Sequence, residues 1–183
     1  MESSKSIPKQ LSRRNVYSSS WLDLNLDKVQ YSSGKIIEDY HIIDFKFDSI
    51  VVLITNKNNE VCFIRSPRYA TQSVELELPS GGIMPGESIE DAATREVLEE
   101  TGFRLVEPET IYSFHPSNAV SKVLSHIVIG RVDYSNQVSD FDDNEVLEVL
   151  WIDQKQILGL IQGKKIKDGF ALTTLLLYHF LYK

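Results

Sequence analysis

Cysteine is all but absent. Cys62 stands alone among 183 residues, which excludes an intramolecular disulfide and fits a reducing compartment. It lies in the apolar run Val61-Cys62-Phe63-Ile64 and is expected to be a small buried hydrophobe. Long hydrophobic runs are also missing. The most apolar stretch, Phe170 to Tyr182, is too short to span a bilayer and carries His179. It is expected as a terminal core helix. The first 14 residues hold Lys5, Lys9, Arg13 and Arg14 but no apolar segment of the signal-peptide kind. A cytoplasmic protein with no membrane role follows as the expectation. Positive charge is scarce: 19 Lys and Arg face 26 Asp and Glu, a formal net charge of −7. That balance argues against general binding to nucleic acid or to an anionic membrane. It also means that an anionic substrate would need cations to approach.

What is present suits one substantial core. Residues 1–14 read as a polar tail, mobile over at least 1–12. Trp21 to Leu26 alternates through Leu22, Leu24 and Leu26, the pattern of a half-buried strand. Lys35 to Phe45, Ser49 to Thr55, Glu60 to Arg65 and Val74 to Leu78 read as further strands, with Asn56-Lys57-Asn58-Asn59 as a hairpin turn. Later come Ile111 to Phe114, Val123 to Val132 and Val146 to Ile152. Asp153 reads as the N-cap of a helix to Gln162, and Asp168 as that of a last helix. No repeat or low-complexity segment is visible. Strands first and helices later indicate an α+β fold.

The most informative stretch runs from Gly81 to Phe103. Ser88 followed by Asp91 marks a helix start, and Gly102 a helix stop. Within that helix Glu96 precedes Glu99 and Glu100 by three and four residues, so three carboxylates crowd one face. Like charges at this spacing weaken a helix unless something positive compensates. Two compensations are open: Arg95 acting through its i,i+4 partner Glu99, or a hard divalent cation such as Mg²⁺ or Mn²⁺. The spacing around the helix decides the reading. Gly81, Glu87, Arg95, Glu96, Val97, Glu99, Glu100, Gly102 and Phe103 fill the pattern G-x5-E-x7-R-E-U-x-E-E-x-G-U, with U a bulky apolar residue. This resembles the signature box of the Nudix hydrolases, which cleave nucleoside diphosphates linked to another moiety.

The resemblance extends over most of residues 15–180. The segments Ile64-Arg65-Ser66-Pro67-Arg68-Tyr69 and Glu75-Leu76-Glu77-Leu78-Pro79 look like the branch that hydrolyses ADP-ribose and nucleoside diphosphate sugars. It implies an α/β/α sandwich with a mixed sheet over residues 47–183. It further implies a small antiparallel β element over 15–46 that forms a homodimer. By the same resemblance Glu96, Glu100 and the Ser80 carbonyl would hold Mg²⁺, or Mn²⁺ in its place. Glu99 would be a further ligand or a hydrogen-bonding partner in that shell. Glu87 and Arg95 would tie loop to helix, and Gly81, Gly82 and Gly86 would give the loop its turns.

The general base is sought in the acidic loop Asp140 to Glu145. Glu145 is the first candidate, because it closes the loop before a strand, and Asp143 the second. A solvated surface loop is the competing reading. Arg65 and Arg68 suit phosphate oxygens, but one of them could instead pair with Glu75 or Glu77. Glu77 could meet the nucleotide or its ribose. His115, in Phe114-His115-Pro116-Ser117-Asn118, lies in a loop that the family places over substrate; ordinary surface is the alternative. His41, His126 and His179 receive no role.

The chain departs from its relatives at Asn118. ADP-ribose hydrolases tend to carry proline about sixteen residues after the last box glycine, and here Pro116 lies two residues early. A glutamate found shortly afterwards is replaced in Ser121-Lys122-Val123. A broad preference for nucleoside diphosphate sugars survives this better than strict ADP-ribose specificity. Hydrolysis of modified nucleoside triphosphates and a catalytically silent sensor are the alternatives. The N-terminal β extension speaks against the first, and the complete set of box glutamates against the second. RNA pyrophosphohydrolase activity fits the acidic charge least.

Overall fold

The computed structural model describes residues 7–132, 141 and 144–182. The chain divides into two compact units. One comprises the described residues up to Phe47 with Ser117–Val123; the other comprises Asp48–Pro116 and the described part of Leu124–Lys183.

The first unit is a three-stranded antiparallel sheet in the order β1 (Lys9–Ser18), β2 (Leu22–Gln30), β3 (Ile36–Phe45). The polar tail expected to reach residue 14 therefore stops before Lys9. Every residue of β1 is exposed, so no alternation of apolar and polar positions marks it as a strand. Main-chain pairing from Lys9↔Gln30 to Ser18↔Asp23 holds it in place. Arg13 adds a fork onto Asp27, with Nε at 2.8 Å and Nη2 at 2.9 Å, and a third bond to Asp44 at 2.7 Å. Asp27 and Asn25 are buried, so this network satisfies groups that would otherwise be costly to bury.

The second unit is built on a seven-stranded mixed sheet. Its path runs β10 (Glu148–Asp153), β5 (Glu60–Arg68), β4 (Ser49–Thr55), β9 (Ser125–Val132), β8 (Leu105–Phe114). β6 (Ser73–Glu77) pairs with β5, and β7 (Ser80–Gly82) pairs with β4. β4 and β9 are parallel over Ser49↔Ser125 to Thr55↔Arg131, while the remaining pairs are antiparallel.

β4 is apolar from Ile50 to Ile54 because both of its faces are covered. Ile50, Val52 and Ile54 pack with Ala92, Ala93 and Val97 of α1 (Ile89–Thr101). Val51 and Leu53 pack with Ile157 of α2 (Gln154–Gln162) and with Ala171 and Leu175 of α3 (Gly169–Leu181). One helix on one face and two on the other make the expected three layers. Cys62 is buried in the first core.

The helix signals act where the sequence places them. The Ser88 side chain accepts from Asp91 N–H, and Gly102 closes α1 in the left-handed region at φ 69°. Asp153 and Asp168 cap α2 and α3. β8 starts at Leu105, earlier than Ile111, because its first half carries Pro108 and a register shift between Val106 and Glu109. Those irregularities erase the strand periodicity. Among the described residues no helix is long and apolar enough to cross a membrane.

Candidate active site

The turn after β6 brings β7 alongside the start of β4, with Ile50↔Gly81 and Val51↔Ser80 paired. α1 then folds back so that its acidic face meets this short strand. Ser80 N–H donates to Glu100 Oε2 at 2.8 Å. The Glu96 carboxyl lies against the Cα of Gly81, where a β-carbon would collide with it. Any side chain at position 81 would push Glu96 away, which is the physical reason for glycine there.

Glu96 and Glu100 are one helical turn apart and both largely removed from water. Burial, opposed by the Ser80 N–H and reinforced by the Glu96 charge, pushes the Glu100 carboxyl up to about 8. Burial also raises Glu96, with Arg95 working in the opposite direction. The charge of Glu145 raises both groups further. The acidic-loop residue therefore lies within electrostatic range of the pair while staying exposed. Asp143 lies outside the described residues.

Arg95 organises the loop and helix. Its Nε and Nη2 hold both oxygens of Glu87, at 2.7 and 2.9 Å, and Nη2 also donates to the Gly82 carbonyl at 2.9 Å. Its Nη1 reaches Glu96 at 2.7 Å and Glu99 at 3.1 Å. Glu87 receives Met84 N–H as well, and these contacts, the Arg95 fork foremost, hold its carboxyl down to about 2. The two compensations weighed for the crowded carboxylates are thus not exclusive. Arg95 takes the outer side of the cluster, bonding to the exposed Glu99 and to Glu96, while Glu100, the inner partner of Glu96, accepts from Ser80 N–H.

Whether that inner pair suits a cation follows from its donors. Among the described residues no three acidic, histidine or cysteine side chains converge into a closed metal set. Two buried carboxylates of raised proton affinity form an open, hard oxygen site. Mg²⁺ is characteristically held this way, by one or two carboxylates with water and substrate phosphates completing the shell. The residues present fit such an ion.

Arg68 and Arg65 part ways. Arg68 forks onto the buried Glu77, Nε to Oε1 at 2.9 Å with Nη2 on the other oxygen, and its charge is felt by Glu100. Arg65 pairs with Glu148 across β5 and β10 at 3.1 Å, half exposed. Arg68 and Glu77 lie on the wall of a cavity of about 690 Å³, together with Ser80, Thr71, Lys167 and Asp168. A smaller cavity of about 370 Å³ contains His115 with Phe114, Pro116 and Thr173. Both share Asp168, Gly169 and Phe170. Asn118 is exposed in the segment grouped with the N-terminal sheet and lines neither cavity. A further cavity of about 960 Å³ lies at the Thr55 end of β4 and includes none of the expected site residues.

Sequence reasoning missed Lys167 and Phe170, and took Asp168 only as a cap. The single signal, Asp168 ahead of an apolar run, marks a helix start and says nothing about what faces it.

The NUDIX domain family matches residues 46–171. An ADP-ribose pyrophosphatase of Bacillus subtilis (strain 168) is 22% identical over 162 residues, covering 88% of this chain and 86% of its own. An ADP-ribose pyrophosphatase of Escherichia coli (strain K12) is 32% identical over 124 residues, covering 63% of this chain and 59% of its own. The methanol dehydrogenase activator of Bacillus methanolicus is 23% identical over 162 residues, covering 88% of this chain and 86% of its own. A solved structure described as an ADP compounds hydrolase superposes with a TM-score of 0.80 at 19% identity, covering 97% of this chain and 95% of its own. At that identity the likeness is one of fold.

Proposed function

This chain belongs to the Nudix family and is a pyrophosphatase of that family; from that premise we propose that it hydrolyses the diphosphate linkage of ADP-ribose or a related nucleoside diphosphate sugar. The products would be a nucleoside monophosphate and a sugar phosphate. The observation that carries this reading is the Glu96–Glu100 pair over Gly81 and Ser80, with Ser80 on the wall of a cavity that also holds Arg68 and Lys167.

Nudix hydrolases use divalent metal ions, and Mg²⁺ suits this donor set best. Glu96, Glu100 and the Ser80 carbonyl would hold it, and when bound it supplies positive charge against the charge developing on the phosphate oxygens. The protein's own groups do the rest. Arg68, oriented by Glu77, and Lys167 attract the anionic diphosphate into an acidic protein. Arg95 and Glu87 keep the glycine loop on α1, so that both carboxylates stay aimed at one point. Glu145 takes the proton of the attacking water as general base.

The N-terminal sheet supports a homodimer. β1 is exposed throughout and shows Leu11, Val16 and Tyr17 to solvent, an edge strand that pairing would cover. Light scattering across a dilution series tests this part. The catalytic part is tested by product identification with ADP-ribose and other nucleotide sugars in the presence of Mg²⁺.

A further inference from the structure

The cavity of about 960 Å³ lies at the end of the sheet away from the carboxylate pair. Ser80 pairs with Val51, and Thr55 on the cavity wall is about 13 Å further along the same strand. The lining crosses the ends of β4 and β9 and the start of β8. It then reaches Gln154 at the head of α2 and Tyr178 and Tyr182 at the tail of α3. Its volume is that of a small-molecule pocket. The Tyr178 and Tyr182 rings stack at 5.7 Å between centroids and 8° between planes. Lys57 and Arg131 bring two cations, and Glu107 and Glu109 two carboxylates. Among the described residues none of these four enters an ion pair. Two unpaired cations in one cavity stand out in a chain of net charge −7.

The backbone adds an independent observation. Glu107 is held in the left-handed region at φ 53°, a conformation that glutamate rarely adopts. It lies in the irregular stretch between Val106 and Glu109. Strain of this kind persists only where the surroundings impose it, and it gathers at ligand sites.

These groups match a nucleotide part by part. Guanidinium and ammonium groups suit a phosphate, and a carboxylate suits the hydroxyls of a ribose. Phenol rings offer a surface to a flat base, and the amides of Asn59 and Gln154 suit its polar edge. Resting on the function proposed above for the source of the ligand, we infer that this cavity is a second nucleotide site that takes a nucleoside monophosphate, the reaction's own product. Lys57 and Arg131 hold the phosphate there, and Glu107 and Glu109 face the ribose.

The test follows backbone amides by NMR as AMP is added to the metal-free protein. The amides of Lys57, Asn59, Gly130 and Arg131 should shift while those from Gly81 to Gly102 stay in place. Adenosine and ribose 5-phosphate should each bind these amides about tenfold more weakly or worse. Arg131→Gln should weaken AMP by about tenfold or more, the scale of one hydrogen bond to a charged group, with ADP-ribose turnover unchanged. Thermal melts establish that the variant folds, and Tyr182→Ala, at the exposed end of α3, replaces it if it does not. Shifts confined to Gly81–Gly102, no shifts at all, or inorganic phosphate binding as well as AMP would overturn the assignment. Binding is read here without turnover. A wild type that shifts these amides with AMP but leaves ADP-ribose intact therefore overturns the hydrolase reading and leaves the site standing.

Discussion

Gly81 and Glu96 compete for one space: the point where a side chain on Gly81 would begin is already filled by the Glu96 carboxyl group. The glycine that opens the box is therefore a condition for placing a carboxylate fifteen residues later in the chain.

Gly81→Ala should fold, since the collision is with the far end of a glutamate side chain. Its catalysis should drop by about 100-fold, the scale of an ångström-sized misplacement of a reacting group. Steady-state kinetics with a melting curve measures this. Wild-type kcat in the alanine variant would show that Glu96 need not lie over position 81.

Arg95 makes five contacts, three of them from helix to loop, and lysine cannot reproduce its fork. Arg95→Lys should lower stability by about 1–3 kcal/mol, read from urea denaturation. It should also weaken Mg²⁺ binding measured by calorimetry. A loss of stability with metal affinity untouched would confine Arg95 to a structural role.

Glu100 gives the metal-free protein a pH dependence of definite sign. Its folded-state proton affinity, raised to about 8, exceeds that of an ordinary carboxylate. Between the two values the unfolded chain has released a proton that the folded chain keeps. Stability is thus full below the ordinary carboxylate range and is lost as pH rises toward 8. Melting curves from acid to mildly alkaline pH should fall accordingly, Glu100→Gln should flatten the trend, and Mg²⁺ should stabilise most at the alkaline end. A wild-type curve that is flat over this window contradicts the buried carboxylate.

Glu145 is exposed, so Glu145→Gln should leave the melting curve in place. As the general base its loss should reduce kcat by about 10²–10⁴-fold. A reduction of only about twofold, far below the range expected of a general base, would move the role to another residue of the acidic loop, Asp143 first.

Much of the second unit was legible because its signals are local. Ser88, Asp153 and Asp168 start their helices and Gly102 ends one, as short polar caps and a left-handed glycine do in any context. The apolar stretch of β4 read as a strand, and the structure covers it on both faces. β1 was not legible, since a strand exposed along its whole length has no buried face to impose a pattern. The early part of β8 was hidden by Pro108 and its bulge. At the site, the box residues came together because one short loop and one helix carry them all. Whether Arg65 or Arg68 would meet Glu77 depends on β5–β6 register, which residue type alone does not set; the register puts Glu77 opposite Ile64, and the Arg68 side chain reaches along the strand to it. The faces of α3 that Phe170 and Thr173 present depend on tertiary packing that no sequence motif encodes.

The central claim is that the Glu96–Glu100 pair serves hydrolysis of a nucleotide sugar diphosphate. Its most direct test is product analysis with ADP-ribose and Mg²⁺, in wild type and in Glu100→Gln. The account predicts AMP and ribose 5-phosphate from the wild type and neither from a folded variant. Equal turnover by the two proteins, or a wild type that releases pyrophosphate from modified nucleoside triphosphates and leaves nucleotide sugars intact, would contradict it.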